Sequence, residues 1–230
     1  MPSEQEVYRH HTGQYERLIR CEDYENNILL SLKRVISLDG LHVVEMGAGT
    51  GRLTRLLTPQ VNSILAMDVS PAMLQVARLS LLDGSHQNWH LCAADNRHLA
   101  AASASADLVI SGWSFCYLAV WGGEDWHQQL ENGMAEVRRV LKPNGTLIIL
   151  ETLGTGFETP QPPGHLVDYF AYLKDQGFQS SWLRTDYQFE SMAEAIELAS
   201  FFFGEEMATK VRENNWVILP ECTGMWWKRF

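Results

Sequence analysis

Apolar positions along the chain follow two alternating rhythms. Short, nearly unbroken apolar runs occur at 42-HVVEM-46, 63-SILAMD-68, 88-NWHLCA-93, 107-DLVIS-111 and 146-TLIILE-151. Runs of this length and continuity suit parallel strands covered on both faces. Between them the apolar residues recur at helical spacing. Ile28, Leu29, Leu32, Val35 and Ile36 mark a helix over Tyr24 to Ile36, stopped by the turn pair Asp39-Gly40, and Leu53, Leu56 and Leu57 mark another that ends by Pro59. Ser70 and Pro71 supply a helix cap and a first-turn proline for a helix through Leu82, which Asp83-Gly84 stops. A longer helix over Glu124 to Leu141 ends at the turn 142-KPNG-145. Five strands alternating with helices predict an open, doubly wound parallel sheet with right-handed crossovers.

Past Glu151 the pattern changes. The segment 152-TLGTGFETPQPPG-164 reads as a loop, followed by a helix from His165 to Asp175. Alternation predicts a strand at 179-QSSWLRTDYQF-189, a helix over Glu190 to Asn214, and a last strand within 216-WVILPECTGMWWK-228. These late strands are expected to form an antiparallel edge. At 230 residues one domain is the default: an N-terminal helical segment (1–40), a core (41–151) and a substrate side (152–230).

Composition narrows the partners. The formal net charge of -10 would repel nucleic acid, since that binding rests on Lys and Arg neutralising phosphates; a small-molecule substrate is expected instead. The four cysteines, Cys21, Cys92, Cys116 and Cys222, lie far apart with no C-x-x-C pair, which predicts reduced thiols and no metal site. With no apolar run long enough for a bilayer and no apolar signal core, a cytoplasmic setting is expected. Oligomeric state is left open.

The chemistry concentrates in 45-EMGAGTGRL-53. A dinucleotide fingerprint needs G-x-G-x-x-G, but Gly47, Gly49 and Gly51 give G-x-G-x-G with Arg52 at the third required position. A phosphate loop of the G-x-x-x-x-G-K-[ST] type fails at Met46, Arg52 and Leu53. What remains is a backbone that approaches its ligand closely beside a carboxylate, Glu45, which would repel pyrophosphate and attract an amino group. Asp68 ends the second strand about 20 residues on, where an acid can hold ribose hydroxyls. Asp95 and Asn96 follow the third strand, placed to read an adenine edge. Taken singly, Asp68 can be a helix cap and Asp95 an Asx-turn former. Together they ask for a ligand with an amino acid, a ribose and a base, the three parts of S-adenosylmethionine.

The sequence resembles the class I S-adenosylmethionine-dependent methyltransferases through 43-VVEMGAGTGRLTRLL-57, 66-AMDVSPAMLQVAR-78, 93-AADNRHL-99, 107-DLVISGWSFCYL-118 and 135-AEVRRVLKPNGTLIILE-151, roughly the middle half of the chain. The resemblance implies a Rossmann-like, three-layer αβα fold with seven strands, one antiparallel near the edge. It also implies that Glu45 binds the methionine amino group, that Gly47, Gly49 and Gly51 line the methionine portion, and that Asp68 takes both ribose hydroxyls. Val69 would pack on the adenine, Asp95 would bond its amino group, and Ser111 to Trp113 would lie beside the reactive methyl. The segment from Tyr8 to Asn27 resembles a leading helix folded over the cofactor, with Tyr15 reaching toward it.

The fourth motif begins 111-SGWS-114 and lacks the N/D-P-P-Y/F pattern of enzymes that hold an amino nitrogen in DNA or protein, and no cysteine has the Pro-Cys context of cytosine-C5 enzymes. With the acidic balance, this points to methyl transfer onto a small molecule. If the acceptor carries a proton, something must take it, and His127 is the best placed of the eight histidines. The aromatic residues Trp113, Phe115, Tyr117, Trp121 and Trp126 suit a pocket wall or a core, with the core favoured for Phe115. The rival readings are a nicotinamide-dependent oxidoreductase, disfavoured by Arg52 and Glu45, and a non-catalytic module that binds the same cofactor.

Overall fold

The computed structural model describes residues 6–7 and 10–230. Helix α1 (Thr12–Cys21) and helix α2 (Asn27–Val35) lead into β1 (His42–Met46), α3 (Arg52–Leu57), β2 (Ser63–Asp68), α4 (Pro71–Leu82), β3 (Trp89–Ala93) and β4 (Ala106–Gly112). A short helix α5 (Tyr117–Val120) and a single 3-10 turn precede α6 (Trp126–Val140), which runs straight into β5 (Leu141–Thr155). Helix α7 (Val167–Asp175), β6 (Gln179–Arg184), β7 (Tyr187–Gln188), α8 (Met192–Phe203), α9 (Glu205–Asn214), β8 (Ile218–Leu219) and β9 (Glu221–Arg229) complete the chain. Tyr8 and Arg9, where the expected leading helix begins, lie outside the described residues.

The main sheet has seven strands in the order β3-β2-β1-β4-β5-β9-β6. Strands β1 to β5 pair in parallel, and β9 is antiparallel to both β5 and β6. The Rossmann-like, doubly wound sheet with its antiparallel edge is therefore present. Strand order reverses between β1 and β4, and the crevice at their carboxyl ends is where such sheets bind ligands.

Period-two alternation inside the unbroken apolar runs feeds two cores. Val44, Met46, Val109, Leu147 and Ile149 face Leu130, Met134 and Val137 of α6 and Tyr169 and Leu173 of α7. Val43, Leu108, Ile110, Ile148 and Leu150 face Ile28 and Leu32 of α2 and Leu53 and Leu57 of α3. Burial of side chains on both faces explains why the strand segments carry few polar positions. A third cluster joins Leu18 of α1 to Leu198 and Ala199 of α8, Val211 of α9, Tyr187 and Leu219.

The parallel half follows the expected pattern almost residue for residue, whereas the C-terminal third is more divided. The single strand expected over 179–189 is two, β6 and β7, separated at Thr185 and Asp186; β7 leaves the main sheet to pair with β8. Side chains compete with the ladder there: Thr185 Oγ1 lies 2.6 Å from Thr223 Oγ1, and Asp186 accepts from Arg184 Nε at 2.7 Å and from the Glu221 N–H at 2.9 Å. The helix expected over 190–214 is also two, broken at Gly204 (φ 90°, ψ 172°). Pro220, which has no N–H to give a ladder, separates β8 from β9. The 142–145 turn lies within β5 as a bulge, the register passing from Ala106↔Leu141 to Leu108↔Thr146. Its left-handed residue is Asn144 (φ 66°), not the glycine.

Candidate functional site

The loop 47–51 carries the chain from β1 across the end of β2. Gly47 has φ +66°, and a Cβ there would lie 1.7 Å from Ser114 Oγ, so the loop and the segment after β4 can meet only at a glycine. Gly51 (φ +85°) caps α3, and its Cβ would sit 3.1 Å from the Ala77 Cβ on α4. The three glycines therefore divide their work: Gly47 and Gly49 open onto a cavity, and Gly51 permits close helix packing behind it.

The cavity, about 460 Å³, lies at the switch point. Eight expected residues line it: Tyr15, Glu45, Gly47, Gly49, Asp68, Val69, Asp95 and Asn96. Two do not. Gly51 faces α4, and Ser111 is fully buried in β4, leaving Gly112, Trp113 and Ser114 to line the wall in its place. Ser111 is paired on both sides, with Met46 of β1 and Ile149 of β5, and the chain reaches the cavity from Gly112, the last residue of β4, onward.

Glu45 is 2% exposed and accepts the Thr54 hydroxyl at 2.6 Å. Burial pushes its carboxyl up to about 8, with Asp68 adding to the rise and Thr54, Arg52 and Arg55 opposing it. Asp68 accepts the Gly49 N–H on Oδ2 and the Ser70 N–H on Oδ1, both at 2.8 Å. Burial raises its pKa against these two bonds. The cap of α4 falls to Ser70, whose side chain accepts from the Met73 N–H, so Asp68 serves the loop and the cavity instead. Each carboxylate oxygen retains a second acceptor site.

Asp95 makes the Asx-type turn and lines the cavity at once. Its Oδ1 accepts from the Arg97 N–H and Nε at 2.8 Å each, and Oδ2 accepts from Nη2 at 2.6 Å. The Arg97 hydrogen bonds hold its carboxyl below the usual range. Arg97 Nη1 donates to Gln129 Oε1 at 2.6 Å, and Asn96 Nδ2 donates to Ser114 Oγ at 3.1 Å. Beside them Val69, 70% exposed, offers an apolar platform in the wall.

His127 does not face this space. It is exposed, stacks on Trp126 at 3.6 Å between centroids and meets Tyr172 edge-on at 6.1 Å; Gln129, two residues later on α6, lines the cavity instead. No histidine is among the lining residues. Phe115 is a core residue, fully buried. Tyr117 and Trp121 form part of the wall, stacked at 4.1 Å, and their i, i+4 spacing was the available sequence signal.

Arg52, used in the sequence only to reject the dinucleotide and phosphate loops, also lines the cavity. Its guanidinium carbon lies 3.5 Å above the Trp113 ring and the group is paired with Glu22. Behind the wall, Glu151 is 1% exposed and its Oε1 accepts the Cys116 N–H at 2.9 Å and the Tyr169 hydroxyl at 3.3 Å. Burial pushes its carboxyl up to about 7. Among the described residues no cluster of three or more His, Cys, Asp or Glu is arranged to hold a metal, and no helix is long and apolar enough to cross a membrane.

Residues 44–149 match the methyltransferase-domain family. The chain is 30% identical over 112 residues to a demethylmenaquinone methyltransferase of Tropheryma whipplei (strain Twist), covering 49% of this chain and 42% of that protein, so it spans less than half of that relative's length. The fold matches the YcgJ protein of Bacillus subtilis with a TM-score of 0.61 at 12% identity, over 89% of this chain and 98% of that one. It also matches Haemonchus contortus phosphoethanolamine N-methyltransferase 2, solved with S-adenosyl-L-methionine, with a TM-score of 0.60 at 15% identity, over 98% and 60% of the two chains. At these identities the structural likeness is one of fold. Family match, strand order and motif order agree: residues 44–149 match a methyltransferase domain, and the chain is similar to the class I S-adenosylmethionine-dependent methyltransferases.

Proposed function

We propose that the cavity binds S-adenosylmethionine and that the protein transfers its methyl group to an O, N or C atom of a small molecule. One observation carries the reading: carboxylates at the ends of three successive strands, Glu45, Asp68 and Asp95, converge on one cavity. The donor set fits the ligand. Glu45 faces an ammonium, Asp68 a ribose diol, Asp95 with Asn96 a base edge, and Val69 a flat apolar ring. The cavity is within the roughly 300–1,000 Å³ typical of small-molecule sites.

When bound, the sulfonium supplies an already activated methyl group for in-line displacement. The chain then has to position the partners and exclude water. Tyr15 of α1 and the stacked pair Tyr117 and Trp121 wall the cavity, while Gly49 and Ser70 N–H groups fix the Asp68 carboxylate before any ligand arrives. The lining carboxylates Glu45, Asp68 and Asp95 are all engaged in holding the cofactor and no histidine lines the cavity among the described residues, which favours catalysis by orientation over a dedicated base. A small acceptor is supported by the acidic net charge and by the curated relative, whose name gives a quinone-type acceptor.

Calorimetry with S-adenosylmethionine, S-adenosylhomocysteine and NAD tests the cofactor. The first two are expected to saturate one site per chain and NAD to show no binding. Saturable NAD binding without S-adenosylmethionine binding overturns the reading. Labelled methyl transfer onto a panel of small-molecule acceptors then separates an enzyme from a binding module.

A further inference from the structure

The methionine portion of S-adenosylmethionine is a zwitterion, and Glu45 accounts for only half of it. An α-carboxylate must enter beside the ammonium, in a cavity already lined by Glu45 and Asp68. An uncompensated carboxylate in that setting is strongly disfavoured. This inference rests on the cofactor reading above.

Among the described residues, two cationic side chains line the cavity, Arg52 and Arg97. Arg97 belongs to the base end, where all three of its nitrogens are already engaged: Nε and Nη2 bond Asp95 and Nη1 bonds Gln129. Arg52 stands at the other end, where its charge acts on both Glu45 and Tyr15. Among the described residues its hydrogen-bond partner is Glu22, through Nη1 alone. Nε and Nη2 make no hydrogen bond among the described residues, and Arg52 lines the cavity.

The mounting of this guanidinium is built. Its face lies on the Trp113 indole, and Trp113 adopts φ +50°, a left-handed conformation that bulky residues rarely take. The Trp113 N–H donates to the Leu150 carbonyl at 2.7 Å, which holds the residue in that conformation. Glu22, 8% exposed, fixes the outer edge of the fork and comes from the turn that follows α1. A flat guanidinium with one edge anchored and the other open is suited to a two-point carboxylate contact. We propose that Arg52, seated on Trp113 and held by Glu22, binds the carboxylate of the cofactor's methionine portion, with Glu22 as its positioning residue.

Decarboxylated S-adenosylmethionine keeps the sulfonium and the amine and lacks only the carboxylate, which makes it the probe. Calorimetry is run with both ligands on the wild-type protein, Arg52→Met and Arg52→Lys, with thermal melts to confirm folding. Arg52→Met is expected to weaken S-adenosylmethionine roughly ten- to hundredfold and to leave the decarboxylated ligand within about twofold. Arg52→Lys, which restores a point charge without the fork, is expected to recover part of the preference. Equal loss for both ligands, or no loss for either, overturns the inference while leaving the cofactor reading intact. A wild-type protein that binds neither ligand overturns that reading and the inference with it.

Discussion

Glu45 sits at the end of β1 with its carboxyl sealed beneath the glycine loop, where burial pushes it up to about 8. Near neutral pH the empty site therefore holds a large fraction of protonated Glu45. An ammonium ligand favours the ionised form, so binding must release a proton whenever the pH lies below that value. Affinity for S-adenosylmethionine is then expected to tighten as the pH rises from 6 toward 8, by up to about tenfold per unit, the slope easing as the ligand's own amine begins to titrate. Glu45→Gln should bind weakly and without this slope. Calorimetry in buffers of differing ionisation enthalpy measures the proton released, and a flat wild-type profile over that range would contradict the assignment. The position was legible because a carboxylate at a strand end beside glycines has few chemical uses. Arg52 was not, because its partners Glu22 and Trp113 lie 30 and 61 positions away and no local spacing joins them.

Elements differ in how much of their geometry local sequence carries. Helix α4 runs over the residues expected, Pro71 to Leu82, because its cap and its first-turn proline are adjacent in sequence. In the C-terminal third, the breaks at Thr185 and Asp186 depend on Thr223, Arg184 and Glu221, so alternation alone extended one strand through them. The cavity wall after β4 has the same non-local character. Its four-residue helix α5 is too short to stand alone, and it is tied to the sheet where Glu151 accepts the Cys116 N–H and the Tyr169 hydroxyl. Glu151→Leu would leave both donors buried without that acceptor, at a cost of about 2–4 kcal/mol. Glu151→Gln keeps a carbonyl acceptor and should lose less. Denaturant melts give the two stabilities, and cofactor titration should show weaker binding in Glu151→Leu, since Tyr117 and Trp121 hang from the same segment. Equal stability of the two variants would mean that the carboxyl anchors nothing.

Among the described residues, several buried acids are shifted in one direction. Burial raises Asp23 to about 6, Glu151 to about 7, and Glu45 and Glu221 to about 8, all above their ordinary values near 4. In each case the folded chain binds the proton more tightly than the unfolded chain. The stability they contribute is fully present below pH 4 and is lost as the pH rises through 6 to 8. Asp95, Asp107 and Glu136 are shifted downward by Arg97, Lys142 and Arg139 and act in the opposite sense, but they lie near the surface, where solvent weakens such pairs. The formal net charge of -10 counts every acid as ionised, so it is reached only as these groups titrate, and it adds self-repulsion on the alkaline side. The ligand-free protein should therefore melt at a lower temperature at pH 8.5 than at pH 5.5, with each kcal/mol worth roughly 2–4 °C for a chain of this size. Glu221 is the sharpest single probe: Oε1 accepts the Thr152 hydroxyl at 2.7 Å, and Oε2 is buried without a partner among the described residues. Glu221→Gln removes its ionisation and should raise the melting temperature at pH 8.5 while changing it little at pH 5.5. A wild-type melting temperature that climbs between those two values would show that the surface pairs outweigh the buried acids.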